Sequence, residues 1–149
     1  MAILTEIKAD SDVSTYELFS QQLEGITRRD AVALFLFQGD GWCPDCVPSK
    51  QALEDLAAEY HGNVEFYSIH VGTKEMWKHI DLSGKTATRT NPFISSRPFL
   101  QYIPTAIIYE GSSDKKIAIE KNKLVLPESK DFAVHREVLE GMLYIQENY

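Results

Sequence analysis

The stretch AVALFLFQGDGWCPDC, residues 31–46, decides the fold class. Residues 31–37 form an unbroken apolar run that is shorter than a typical helix and rich in Phe and Leu. Such a run is typical of a strand covered on both faces. Residues 38–41 interrupt it, and apolar side chains then recur with helical period from Ala52 to Tyr60. We therefore predict a buried central strand, a turn that contains two cysteines, and a helix.

The sequence before this stretch predicts one strand and one helix. Residues 3–8 are consistent with a first strand. Ser14 and Glu17 have the spacing of a capping box, which places a helix start at this point. The helix would bury side chains that recur at intervals of three and four residues, namely Tyr16, Phe19, Leu23 and Ile26.

The sequence after the second helix predicts a further strand and a short helix. Residues 64–71 form a second apolar run that ends at a glycine, and residues 74–80 are compatible with a short helix. Between residues 81 and 102 the periodicity fades. A loop of that length is unusual unless it is functional or contains a short extra helix.

The last third of the chain predicts a hairpin followed by a closing helix. Residues 105–109 and 117–120 are separated by a turn, so the two strands would be antiparallel, and residues 124–126 could extend the pair. Apolar residues recur with helical period between 132 and 143, and Ser129 is expected to cap this helix.

These elements define the expected fold class. Strands and helices alternate before a hairpin and a final helix, and this order favours an α/β fold with a central mixed β-sheet flanked by helices. The length of 149 residues is about that of one domain. We therefore expect a single domain over residues 1–149.

The charge and hydropathy of the chain exclude several classes of partner. A formal net charge of −7 disfavours a broad phosphate-binding face and an anionic membrane surface, so neither nucleic acid nor membrane is expected as a partner. No apolar stretch approaches the length of a membrane span. The start, MAILTEIKADSD, has no basic region followed by a long apolar run, so we expect a cytoplasmic protein.

The two cysteines, Cys43 and Cys46, form a Cys-x-x-Cys motif where a strand is followed by a helix. A disulfide between them closes a very short loop and adds little stability, so we expect it to be functional. Cys43 would lie near the helix N-cap, where the helix dipole stabilises a thiolate, and Pro44 suits the first helical position. Cys46 would lie one turn later on the same face. We therefore expect Cys43 to attack a substrate disulfide and Cys46 to resolve the product.

Two other interpretations of the cysteine pair remain open. The pair could supply half of a zinc site, completed by histidines, but the spacing of His61 and His70 does not fit the usual finger pattern. We expect no bound metal. The two thiols could also be inert, although a junction between strand and helix is where a thiol becomes reactive.

The motif WCPDC at residues 42–46, with Ile103-Pro104-Thr105 leading into an apolar strand, resembles the thioredoxin superfamily. The longer WCPDCV and the later Val71-Gly72-x-Lys74-x-x-Trp77-Lys78 narrow the resemblance to one family within it, over roughly residues 13–111. This resemblance implies a thioredoxin-like fold and a cytosolic, monomeric protein-disulfide reductase. It implies no bound cofactor, because electrons come from NADPH through thioredoxin reductase. The expected partners are thioredoxin reductase and disulfide-containing proteins or small disulfides.

The resemblance also assigns residue roles. Cys43 resembles the nucleophile of the superfamily, Cys46 its resolving cysteine, and Pro104 its cis-proline. A missing N–H at Pro104 would leave the backbone of Ile103 free to pair with an extended substrate chain. Trp42 would shield the dithiol or offer an apolar surface to substrates, unless it is an ordinary core tryptophan.

The sequence departs from the superfamily pattern around the motif. Thioredoxin has a buried Asp in the strand before the motif, but residues 31–37 contain no acid, and Asp40 and Asp45 are the nearest carboxylates. We expect the two middle residues, Pro44 and Asp45, to tune the pKa of Cys43, with the charge of Asp45 raising it. Pro48 follows the motif closely and is expected to distort the first helical turn. A redox-sensitive interaction module without turnover is the alternative function.

Overall fold

The computed structural model describes residues 2–78 and 90–148. Their strands form a mixed five-stranded sheet in the order β1-β3-β2-β4-β5. β1 and β2 both run parallel to β3, whereas β4 is antiparallel to β2 and β5 is antiparallel to β4. The predicted mixed sheet is confirmed, with the run at residues 31–37 at its centre. The strands are β1 (Leu4–Ile7), β2 (Val32–Gln38), β3 (Val64–His70), β4 (Thr105–Ser112) and β5 (Ile117–Val125).

Helices cover both faces of this sheet. α1 and α4 contribute to the apolar cluster on one face, and α2 and α5 contribute to the cluster on the other. A short 3-10 helix, Asp40–Trp42, connects β2 to the segment that precedes α2. No helix within the described ranges is long and apolar enough to cross a membrane. The helices are α1 (Asp12–Arg29), α2 (Cys46–Glu59), α3 (Lys74–Lys78), α4 (Pro92–Ser95) and α5 (Phe132–Asn148).

The central strand β2 supplies side chains to both apolar clusters. Phe35 and Phe37 face α1, where both rings contact Phe19 edge-on. Leu34 and Leu36 point to the opposite face and join the cluster of α2 and α5. This alternation buries both faces of β2 and explains why its sequence is continuously apolar.

The predicted caps of the first and last helices are wrong by a few residues. Ser11 caps α1, and its hydroxyl accepts a hydrogen bond from the N–H of Ser14 at 3.0 Å, so Ser14 lies inside the first turn. At α5, the Asp131 carboxylate accepts from the N–H of Ala133 at 3.0 Å, whereas Ser129 accepts from Asp131 just before the helix. In both cases a second capping residue lies within three positions, and sequence spacing alone does not distinguish them.

The segment between β3 and β4 is only partly described. α3 matches the start of the short helix predicted at residues 74–80, and residues 79 and 80 lie outside the described residues. In the described part of the aperiodic segment, residues 90–102, the structure has a short extra helix, α4, which Asn91 caps by accepting from the N–H of Phe93. The hairpin predicted from residues 105–109 and 117–120 is present as β4 and β5, which are antiparallel and longer than predicted.

Candidate active site

The cysteine pair lies in the connection between β2 and α2. The N–H of Cys43 donates to the carbonyl of Asp40 at 3.0 Å, which closes the short 3-10 helix. Cys43 and Cys46 form a disulfide with an S–S distance of 2.17 Å and a Cα–Cα distance of 5.2 Å. The structure therefore shows the oxidised state of the predicted site.

The helix begins later than the sequence predicts. We expected Pro44 at its first position, but Asp45 is the N-cap and Cys46 is the first helical residue. Pro48 explains the difference, because it has no N–H to donate to the carbonyl of Pro44, and the first helical hydrogen bond runs from Ser49 to Asp45. Pro48 consequently occupies the third helical position, where no intrahelical donor is needed.

The two sulfurs differ in their accessibility. Cys43 retains 8% of its surface exposed, whereas Cys46 is fully buried. The Sγ of Cys46 also lies 3.4 Å from the N–H of Gly39, which is oriented to donate to it. Only Cys43 is reachable by a substrate disulfide, and a thiolate on Cys46 would be stabilised by a backbone donor.

A buried polar side chain holds the loop before the cysteines. Gln38, at the end of β2, is fully buried, and its Oε1 accepts from the N–H of Asp40 at 2.6 Å. Its Nε2 donates to the hydroxyl of Ser68 on β3 at 3.2 Å. Asp40 adopts a left-handed conformation with φ of 57°, which Asp tolerates better than most residues. Gln38 thus fixes the turn from which the cysteine segment leaves the sheet.

Asp40 is the charged centre behind this turn. Its carboxylate lies 3.0 Å from Lys50 Nζ, 3.3 Å from His70 Nε2 and 3.5 Å from Lys8 Nζ. Burial alone would raise the pKa of Asp40, but the hydrogen bond and charge of Lys50, with the charges of Lys8 and of His70 in its protonated form, lower it below its usual value. Asp40 is therefore a carboxylate at neutral pH, located on the loop rather than in the strand before the motif.

His70 is the neutral partner of Asp40. Its Nδ1 accepts from the N–H of Gly72 at 3.2 Å, so the proton of the neutral ring resides on Nε2, which faces Asp40. Burial lowers the pKa of His70 below 6.5, and the attraction of Asp40 only partly offsets that effect. Protonation of His70 is consequently easier in the unfolded chain than in the native one.

We expect the free energy of unfolding to decrease as the pH falls from about 7 to about 5. A folded-state pKa below the unfolded value means that His70 contributes stability above pH 6.5, and this contribution is lost as the pH falls through the folded pKa. Urea unfolding at both pH values measures the slope. His70→Gln should reduce it, because Gln does not titrate, and an equal pH slope in both proteins would contradict the assignment.

A groove of about 420 Å³ runs beside the exposed edge of Cys43. Aromatic side chains from three segments form it, and two lysines of α3 provide its charge. Tyr102 is 63% exposed and offers a large apolar face to a partner. The residues lining the groove are Trp42, Cys43, Pro44, Lys74, Trp77, Lys78, Gln101, Tyr102 and Ile103.

Trp42 packs against the core and also lines the groove. Its Nε1–H donates to the carbonyl of Gly72 at 3.1 Å. Gly39 permits this position, because a Cβ there would lie 2.3 Å from the ring. Trp42 therefore connects the cysteine loop to the segment after β3.

The Ile103–Pro104 peptide bond is cis, as predicted. Thr105 pairs with Phe37 at the end of β2, which brings Ile103 to the groove that Cys43 lines. Within the described ranges, no hydrogen bond occupies the N–H or C=O of Ile103. An extended substrate chain can therefore pair with Ile103 beside the cysteine.

The structure brings together Trp42, Cys43, Pro44 and Ile103, with Pro104 buried directly behind Ile103. Asp45 does not line the groove and makes no capping hydrogen bond. Gln38 was not predicted from the sequence, and neither were Gln101 and Tyr102, although these two immediately precede the recognised Ile103-Pro104. Among residues 2–78 and 90–148, no group of three or more His, Cys, Asp and Glu side chains is placed to hold a metal ion.

Comparison with known proteins identifies the family of this chain. The family model described as "Thioredoxin domain-containing protein 17-like, thioredoxin domain" matches residues 12–128. The chain is 27% identical over 121 residues to the thioredoxin-like protein Clot of Arabidopsis thaliana, which covers 75% of this chain and 84% of that protein. The narrower resemblance predicted from the motifs at residues 42–47 and 71–78 is thereby confirmed.

Solved structures show the same fold at low sequence identity. Thioredoxin O2 of Arabidopsis thaliana, in its oxidised state, superposes with a TM-score of 0.52 at 16% identity, covering 95% of this chain and 98% of that one. The short form of thioredoxin F from spinach chloroplast gives 0.54 at 15% identity, with 96% and 93% covered. The predicted thioredoxin-like fold is confirmed. A close cysteine pair in this fold identifies the site as that of a thiol-disulfide oxidoreductase in general.

Proposed function

Since the chain belongs to the thioredoxin domain-containing protein 17-like family, we propose that it is a cytosolic reductase of protein or small-molecule disulfides, recharged by an NADPH-dependent thioredoxin reductase. The observation that carries this proposal is the asymmetry of the cysteine pair. Cys43 is accessible at the edge of an aromatic groove, and Cys46 is buried behind it within bonding distance. A redox-sensitive interaction module would also use both cysteines, so turnover, and not the cysteine pair itself, distinguishes the two functions.

The catalytic cycle follows from this arrangement. The Cys43 thiolate attacks one sulfur of the substrate disulfide, which forms a mixed disulfide and releases the other substrate sulfur as a thiolate that takes up a proton. The Cys46 thiolate then attacks the Sγ of Cys43. This step releases the second substrate thiol and leaves the Cys43–Cys46 disulfide seen in the structure. Two electrons pass to the substrate, and two are needed to restore the dithiol.

Thioredoxin reductase is the proposed source of those two electrons, with NADPH as the ultimate donor and no cofactor bound by the chain itself. The groove supports a macromolecular electron donor as well as protein substrates, since its aromatic wall and the free backbone of Ile103 are open to an extended peptide. A monomer is sufficient for the cycle, because one chain supplies both cysteines.

A coupled assay tests the proposed function. The purified chain is mixed with NADPH, thioredoxin reductase and a disulfide-bonded protein such as insulin, and NADPH oxidation is followed by absorbance. We expect multiple turnovers per chain that depend on both the chain and the reductase. One stoichiometric oxidation that then stops would instead support the redox-sensitive interaction module.

We expect the groove to favour substrates with acidic residues beside the disulfide. Lys74 and Lys78 line it, and among the residues that the structure describes no carboxylate does. The net charge of −7 predicts the opposite preference, for neutral or basic partners, through long-range steering. Contact pairs act at the site itself, so we expect a Glu-flanked peptide disulfide to be reduced roughly two- to tenfold faster than its Lys-flanked counterpart.

The double variant Lys74→Gln/Lys78→Gln separates these two effects. It should abolish the preference for the Glu-flanked peptide, whereas Lys115→Gln/Lys130→Gln makes the same change in net charge away from the groove and should retain it. Faster reduction of the Lys-flanked peptide by the unmodified chain would show that net charge, and not the groove, determines the preference.

A further inference from the structure

A second cavity lies at the end of the sheet opposite the cysteine pair. It has a volume of about 510 Å³, within the usual range of ligand pockets, and opens between α1 and the β4–β5 hairpin. Tyr109 in its wall pairs with Ala33 near the start of β2, whereas the cysteine loop leaves the other end of that strand. The cavity shares no lining residue with the groove beside Cys43.

The cavity lies beside a close contact between α1 and β4. α1 lies directly on β4 at Gly111, where a Cβ would be 1.9 Å from the carbonyl oxygen of Ile26. The residue paired with Gly111 on β5 is Ala118, whose short side chain lines the cavity and leaves it unfilled. A register shift between Ile108 and Tyr109 interrupts the ladder beside it, and such irregularities redirect neighbouring side chains.

Tyr109 places a phenol hydroxyl at the cavity wall. The residue is only 4% exposed, and within the described ranges its hydroxyl has no hydrogen-bond partner. Burial raises the pKa of Tyr109, as does the negative charge of Glu120, while Arg97 opposes them. The hydroxyl therefore stays protonated at neutral pH and is available as a donor.

The charge of the cavity is opposite in sign to that of the chain. Among the described residues, Arg28, Arg97 and Lys116 line it together with one carboxylate, Glu24, which pairs with Arg28 at 3.2 Å. For Arg97 and Lys116, the part of the chain that the structure describes shows no carboxylate partner. In a chain of net charge −7, these two cations beside an apolar cavity are complementary to an anion.

We propose that this cavity binds a small amphipathic carboxylate, with an apolar body against Leu23 and Ala118 and a carboxylate that meets Arg97, Lys116 and the Tyr109 hydroxyl. The apolar part of the lining excludes a purely polar anion such as inorganic phosphate as the best ligand, because the body of the ligand must displace water from apolar walls. The site is independent of the cysteine pair, so it should bind its ligand in both redox states.

Hydrocinnamate tests the proposal, with the neutral hydrocinnamamide as its matched comparison. Each is titrated into the isotope-labelled full chain, and amide chemical shifts are followed by NMR. We expect the shifts to concentrate in residues 23–28 and 113–118. The acid should bind at least about tenfold more tightly than the amide, since its contacts are charge-assisted.

Two sets of variants complete the test. Arg97→Gln/Lys116→Gln should bring the affinities of acid and amide within about twofold of each other, whereas Lys115→Gln/Lys130→Gln, which changes the net charge equally outside the cavity, should keep the tenfold difference. Ala118→Leu should fill the cavity and abolish binding of both compounds; the exposed charge variants remain informative if this variant fails to fold. Equal binding of acid and amide, absence of shifts, or shifts confined to the groove beside Cys43 would overturn the proposal.

Discussion

Replacing Cys43 with serine is expected to lower disulfide turnover by on the order of 10³-fold or more, because the variant loses the nucleophile of the first step. The fold should be retained, since the three-residue separation of the disulfide closes a very short loop and adds little to stability. Turnover in the NADPH-coupled assay measures the loss, and far-ultraviolet circular dichroism establishes that the variant is folded.

Cys46→Ser is the matched control, since it also removes one thiol and the same disulfide. It should still attack one substrate disulfide and then remain trapped as a mixed disulfide, which mass spectrometry of the intact protein detects. The position of Cys46 gives the reason for the difference, because Cys46 is fully buried whereas Cys43 retains 8% of its surface exposed. Trapping by Cys43→Ser in place of Cys46→Ser, or faster alkylation of Cys46 in the reduced protein, would reverse the two assignments.

The elements around the cysteine pair were predictable because local patterns determine them. The apolar run at residues 31–37 must be buried on both faces, and β2 is indeed the central strand with Phe35 and Leu36 in opposite clusters. The Cys-x-x-Cys motif contains both reacting atoms within one short segment. Its chemistry therefore needed no knowledge of distant contacts.

The exact start of α2 was not predictable from the motif alone. Pro44 suits a first helical position, and Pro48 suits a third, but both positions cannot be satisfied by one helix start. The structure places Pro48 at the third helical position, because a helix that began at Pro44 would lack the hydrogen bond from residue 48. Cys43 consequently precedes the helix and lies at the end of the 3-10 turn instead of at the N-cap.

The remainder of the site depends on contacts between residues far apart in sequence. Gln38 holds the loop by its hydrogen bond to Ser68 on β3. Asp40 is held by Lys50 and His70. None of these partners belongs to a recognised motif. The absence of an acid in the strand before the cysteines was visible in the sequence. Only the packing of α2 and β3 on the loop determines which carboxylate lies nearest in space. The same packing places Lys50 where it balances the charge of that carboxylate.

Gly111→Ala is expected to destabilise the protein by at least about 3 kcal/mol. The added Cβ would lie 1.9 Å from the carbonyl oxygen of Ile26 and 2.9 Å from the Cα of Thr27. Both atoms belong to the backbone of α1, so relief requires a shift of the helix rather than a side-chain rotation. Gly111 also donates its N–H to the carbonyl of Ala31 at 2.8 Å, which prevents β4 from moving away without losing a hydrogen bond.

Gly141→Ala provides the control for this prediction. Gly141 lies within α5, and a Cβ there would meet no atom within 4 Å. The same substitution should therefore stabilise the protein by about 0.5–1 kcal/mol through the better helix propensity of alanine. Thermal unfolding separates the two variants, with Tm lowered by roughly 6–12 °C for Gly111→Ala and raised slightly for Gly141→Ala.

Since α1 and β4 meet at Gly111 far from Cys43, the folded fraction of Gly111→Ala should retain disulfide turnover per folded molecule. A Tm within about 2 °C of the unmodified chain would show that α1 can move off β4 at little cost, contrary to the close packing of helix and strand at this glycine.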